Sequence, residues 1–136
     1  MAGMVYNHFG ACGDALDKAA SAVVRKTALD AQAHIQSNVQ ANGLVRTGFL
    51  LNSVYVVTSE SSSYKGGAKA LPEVAQPTDD KTAYVVVGAQ YGIFPELGTR
   101  FMAARPYFYP GIDATRPDFE AAMAQIKTAM EEAARQ

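Results

Sequence analysis

The chain of 136 residues has no tryptophan and a single cysteine, Cys12, so it cannot form an internal disulfide. That suits a reducing compartment or a fold indifferent to redox state. It has almost no net charge, because 12 Lys and Arg stand against 13 Asp and Glu. A free-standing DNA-binding domain usually carries a basic excess, and this chain does not. No apolar run approaches the ~20 residues that cross a bilayer, and no basic-then-apolar leader opens the sequence. A soluble chain with no membrane partner and no export signal is expected. Catalytic signatures are scarce as well. There is no C-x-x-C, H-E-x-x-H or G-x-S-x-G, and no glycine-rich phosphate loop joins a strand to a helix. Cys12 with a histidine could make a thiol–imidazole pair, but a terminal arm is a poor platform for one. No cofactor and no metal set is expected, and the chain reads as an assembly component rather than an enzyme.

What the chain does have is one unusual stretch, residues 91–111, YGIFPELGTRFMAARPYFYPG. It holds six aromatics, three prolines and three glycines without helical or strand periodicity. Pro fixes the backbone and Gly frees it, so such a run is a shaped connection whose aromatics must bury against the domain or a neighbour. Arg105-Pro106 holds Arg105 extended.

Around that stretch the chain reads as one α+β domain. Residues 1–13 form an N-terminal arm, either frayed or docked on a neighbour through Met4, Val5, Tyr6 and Phe9. Asp14 caps a helix of about 27 residues, roughly 40 Å long, that ends at Asn42-Gly43. Leu16, Ala20, Val23, Val24, Thr27, Ala31, Ile35 and Asn38 trace its apolar face. A second stripe of Ala15, Ala22, Leu29 and Ala33 either admits another protomer's helix or reflects helix propensity alone. His34 falls on the main face, where a lone histidine reads as a core or boundary residue; the other histidine, His8, is far away in the arm.

The second half of the run from Leu44 to Thr58 predicts a strand of about eight residues with apolar groups on both faces. Residues 81–89 predict another. Between them, residues 59–80 are a polar, proline-punctuated connection of unusual length. It reads as a disordered excursion or, preferably, as a long hairpin ordered against a partner with Lys65 and Lys69 facing outward. A short helical turn is expected after Pro106, and a new helix from Pro117. Phe119, Ala122, Met123, Ile126, Met130 and Ala133 share that helix's apolar side, opposite Glu120, Lys127, Glu131, Glu132 and Arg135. The architecture expected is therefore a long N-terminal and a C-terminal helix packed on a small, mainly antiparallel sheet with one long loop or hairpin. Glu96, the one acid in the aromatic stretch, could be a catalytic carboxylate helped by Arg100 and Arg105. The preferred reading pairs it with an arginine to fix the bend, or sends it across a subunit boundary.

Three patches read together carry a resemblance. They are Arg46-Thr47-Gly48-Phe49-Leu50-Leu51-Asn52-Ser53-Val54, Tyr91-Gly92-Ile93-Phe94-Pro95-Glu96-Leu97-Gly98-Thr99, and Ala104-Arg105-Pro106-Tyr107-Phe108-Tyr109-Pro110. In order and spacing they resemble the tail-completion, or head–tail joining, proteins of long-tailed bacteriophages, from residue 14 to the end of the chain. That family's pattern runs T-G-x-L-x-x-S, then Y-A-x-x-x-E-x-G-T, then A-R-P-F-x-x-P before a final helix. This chain departs from it at Gly92 (alanine in the family), Pro95, Tyr107 (phenylalanine in the family) and Pro117.

The resemblance implies a virion protein at the head–tail junction, assembled in the host cytoplasm. It implies a ring of copies of this chain, hexameric, between a head-side connector or stopper and the tail terminator or tail tube. DNA would pass through its centre without sequence-specific binding, which the near-neutral charge suits. The structural candidates are Arg46, Thr47, Gly48, Ser53, Tyr91, Glu96, Gly98, Thr99, Arg105, Pro106, Phe108 and Pro110. Glu96, Thr99, Arg105 and Phe108 are expected to fix the bend, with Thr47 and Ser53 at the strand entry. The alternatives are a tail terminator that caps the tube, a small hydrolase using Glu96, and a nucleic-acid-binding adaptor.

Overall fold

The computed structural model describes residues 2–6, 14–44, 48–67 and 69–134. Seven elements follow in order: β1 (Ala2–Tyr6), α1 (Asp14–Ala41), α2 (Phe49–Ser53), β2 (Val54–Thr58), β3 (Thr82–Val87), α3 (Ile93–Leu97) and α4 (Phe108–Ala134). The fold is α+β: two long helices and a small sheet of order β1-β3-β2, antiparallel throughout. Val56 faces Val85 across β2 and β3, and Met4 faces Tyr84 across β1 and β3. Residues 2–6, read from sequence as part of an arm, thus supply a strand. They occupy the side of β3 away from β2, where its backbone groups would otherwise lack partners. No helix among the described residues is long and apolar enough to cross a membrane.

The α1 face lies close to where its spacing puts it. Ala20, Val24, Ala28, Ala31, Ile35 and Val39 are fully buried at steps of three and four. Val23 and Asn38 flank this stripe half-buried, and Ala22, Leu29 and Ala33 face outward. His34 is exposed, contrary to the sequence reading: at 3.6 residues per turn it points about 100° away from Ile35. Asp30, one turn earlier, is held by Lys26 at 2.9 Å.

Helix α4 runs antiparallel to α1. Tyr107 accepts from Asn38 near the end of α1, Gly111 meets Ile35, and Asp118 adds to Asp30 in raising the Lys26 pKa. The helix is continuous from Phe108, so Pro117 lies inside it and does not start a new one. The proline removes one backbone donor on an exposed side, where water reaches the orphaned carbonyl, and packing against α1 holds the helix together. Pro117→Ala is therefore expected to raise stability by about 1–3 kcal/mol in urea unfolding.

The expected eight-residue strand is also shorter than predicted. Phe49–Ser53 is a turn of helix, and only Val54–Thr58 is strand. Gly48 takes a left-handed φ of 79° and accepts from the Asn52 N–H, which starts the turn. Gln36 and Gln32 on α1 then donate to the Leu51 and Val54 carbonyls at 3.2 and 3.0 Å. The turn brings Phe49 and Leu51 to the same side as Leu50, against the α1–sheet core.

The other face of the sheet, Tyr55, Val57 and Val86, is covered by the long connection. The described residues of 59–80 fold back on the sheet and do not stand out as a hairpin. Tyr64 meets Tyr55 edge-on at 5.1 Å, Ser63 donates to the Val56 carbonyl, and Leu71 donates to the Gly88 carbonyl. No helix covers that face, so this chain is what keeps water off three large apolar side chains. Lys65 and Lys69 do face outward.

Candidate functional site: a helix-capping elbow

The residues between β3 and α4 form an elbow at one end of the molecule. It begins at Gly92, whose N–H donates to Ala89, and turns through α3 to Gly98, whose N–H donates to Phe94 at 2.7 Å. Gly98 has φ 77°, and a side chain there would put its Cβ 2.8 Å from the Ala104 nitrogen. Thr99 and Met102 exchange backbone hydrogen bonds at 2.8 and 3.2 Å, closing a tight turn around Arg100 and Phe101. The Thr99 hydroxyl accepts from the Phe101 N–H, and the Arg100 guanidinium lies 4.7 Å from the Phe101 ring centre.

Glu96 is the centre of the elbow. It is buried, and its carboxylate accepts from the backbone N–H groups of Tyr107, Phe108 and Tyr109 at 2.9, 2.7 and 3.3 Å. These are the orphan donors at the start of α4, so a residue 12 positions upstream of Phe108 acts as the helix cap. The negative charge also meets the positive end of the helix dipole. The sequence reading, which paired Glu96 with an arginine, is corrected here: its partners are main-chain donors. Arg105 serves elsewhere. Its N–H donates to the Pro95 carbonyl at 2.7 Å, and its guanidinium donates to the Asn42 carbonyl at the end of α1. Asn42 in turn donates to the Pro106 carbonyl at 2.9 Å.

Tyr107 and Phe108 are fully buried, and the Tyr107 hydroxyl donates to the Gly92 carbonyl. Two departures from the phage pattern meet at this contact. A Cβ on residue 92 would lie 2.9 Å from the Tyr107 hydroxyl and 2.7 Å from Val87 Cγ1, so alanine at 92 and tyrosine at 107 compete for one space. Gly92→Ala is expected to cost about 1–3 kcal/mol, and adding Tyr107→Phe should recover part of that loss, a coupling a double-mutant cycle measures.

Burial first, then the Glu96 carboxylate, push the Tyr107 phenol far above its ordinary value of 10.0. Above about pH 10 the unfolded chain gives up this proton while the folded chain keeps it. The folded form then binds more protons, so stability falls as pH rises past that point. Alkaline unfolding should be less steep in Tyr107→Phe.

Of the other candidates, Gly48, Tyr91 and Arg105 line one groove of about 520 Å³ together with Leu44, Leu50 and Phe94. Tyr91 and Phe49 stand 6.3 Å apart beside it. Ser53 ties the β2 entry to the β3 exit by accepting from the Gly88 N–H at 3.0 Å. Pro110 is exposed in the first turn of α4, and Pro106 is exposed just before it. Arg46 and Thr47 lie outside the described residues.

Sequence reasoning passed over the amides of α1. Gln32 with Gln36, and Asn38 with Asn42, reach loop carbonyls that have no other partner. Their signal was available, since each pair is spaced i, i+4 beside the apolar stripe. The elbow also leaves large apolar groups in water: Phe94 is 52% exposed, Leu97 66% and Phe101 86%. Comparison with protein-family models, curated proteins and solved structures finds no match.

Proposed function

We propose that this chain is a structural protein of a bacteriophage neck, forming a ring that joins the DNA-filled head to the tail tube around a channel for DNA. The observation that carries the reading is the convergence of the three sequence patches on one object. Glu96 of the second patch caps the helix that the third patch opens, and Arg105 of the third binds Pro95 of the second. Gly48 of the first shares a groove with Tyr91 and Arg105. Patches that matter together in a family are expected to meet in space, and these do.

The elbow's chemistry supports assembly in preference to catalysis. Both Glu96 oxygens face main-chain donors, which fits a role in shaping the bend. Exposed Leu97 and Phe101, held on a stiff turn, give a neighbour a surface that loses little entropy on docking. The test is sedimentation of the purified chain over a range of concentrations, alone and with purified tails. The reading expects an oligomer, or capture on the tail end. A chain that stays monomeric and never joins tails contradicts it.

A further inference from the structure

Two charged regions of this chain are unmatched within one copy. At the elbow, Lys69, Arg100 and Arg105 surround the exposed apolar side chains, and none has an ion-pair partner among the described residues. The carboxylate closest in sequence to Arg100, Glu96, is buried and already binds three N–H groups. By contrast, residues 70–80, ALPEVAQPTDD, contain three carboxylates and no cation. This segment lies on the sheet face opposite α1, with Glu73 and Asp80 exposed and Leu71 partly so. Residues 72–80 have no strand or helix of their own. Prolines at 72 and 77 hold them extended and remove two backbone donors, so side chains would make the contact.

We propose that the elbow of one copy docks on the 70–80 segment of a second copy. The contact is head-to-tail, cations and aromatics on one side against carboxylates and an extended proline-punctuated chain on the other. It uses two different surfaces, as a closed ring requires, and leaves each copy with one of each free for the next. Opposite charge sets register and speeds encounter, while Phe101 and Leu97 supply apolar area. The inference rests on the ring reading for its closure, though the contact itself is separately testable.

The experiment is a charge swap followed by sedimentation velocity. The variants are Lys69→Glu with Arg100→Glu on one side, and Glu73→Lys with Asp80→Lys on the other; all four residues are exposed. Circular dichroism and thermal unfolding confirm that each variant folds. Each alone is expected to self-associate about a hundredfold more weakly than the unaltered chain, because like charges then face each other. Mixed one to one, the two should associate again, alternating, with an affinity that falls as salt rises. Unaltered association of either variant, failure of the mixture to recover, or an unaltered chain that is monomeric throughout overturns the proposal. Tail joining is scored apart. Charge-insensitive rings that still join tails sink this contact and leave the neck reading standing. Charge-dependent association with no joining sinks the neck reading alone.

Discussion

Replacing Glu96 with alanine is expected to lower the unfolding free energy by about 3–5 kcal/mol, the largest loss from any single polar side chain in the elbow. The substitution takes the acceptor from three backbone N–H groups at once, two of which are buried. A buried donor left without a partner costs about 1–3 kcal/mol, more than a solvated helix cap, because water does not replace the lost acceptor. Glu96→Gln should fall between, at about 1–3 kcal/mol. Its amide oxygen still accepts from Tyr107 and Phe108, but its NH2 then faces the Tyr109 N–H, donor against donor. Urea unfolding reads both. Glu120→Ala, on the exposed side of α4, is the control and should change stability by no more than about 0.5 kcal/mol. A Glu96→Ala loss below about 1 kcal/mol would mean the cap is incidental.

Gly111→Val should be at least as damaging, at about 4 kcal/mol or more, a large share of the 5–15 kcal/mol typical of a domain this size. A Cβ at 111 would stand 2.6 Å from Ile35 Cγ1 and 2.9 Å from the Ile35 backbone nitrogen. The first clash can be relieved by a rotamer change, but the second cannot, because it sets one helix backbone against another. Alanine gains about 1 kcal/mol of helix propensity over glycine, yet the contact outweighs that gain. Gly111→Ala should therefore destabilise too, by about 2 kcal/mol. Adding Ile35→Ala to Gly111→Val should restore little, since it clears only the side-chain half of the clash. Full rescue by Ile35→Ala would show that α1 and α4 can separate freely.

These two residues mark what the sequence reveals and what it hides. The α1 stripe was legible because burial against a single layer imposes a 3.6-residue period, and Val24, Ala31 and Ile35 obey it. The extent of β2 was not. In Phe49-Leu50-Leu51-Asn52-Ser53 the same apolar residues suit a strand or a helical turn, and Gly48 with two distant glutamines decides between them. Glu96 was legible as the residue that fixes the bend, because a lone acid in an aromatic stretch must have a partner. Its partners were illegible, since backbone donors carry no sequence signal. Pro117 misled because proline's local rule, to begin a helix, gave way to the packing of α4 along α1. The fold-back of residues 59–80 follows from Tyr55, Val57 and Val86 needing cover, a demand visible only once the sheet's second face is found empty of helices.

The central claim is that this chain holds a phage head and tail together. Electron microscopy of particles assembled without it tests that most directly. The account predicts filled heads beside separate tails of normal length, and joined particles once the purified protein is added back. Intact virions formed in its absence would contradict the account.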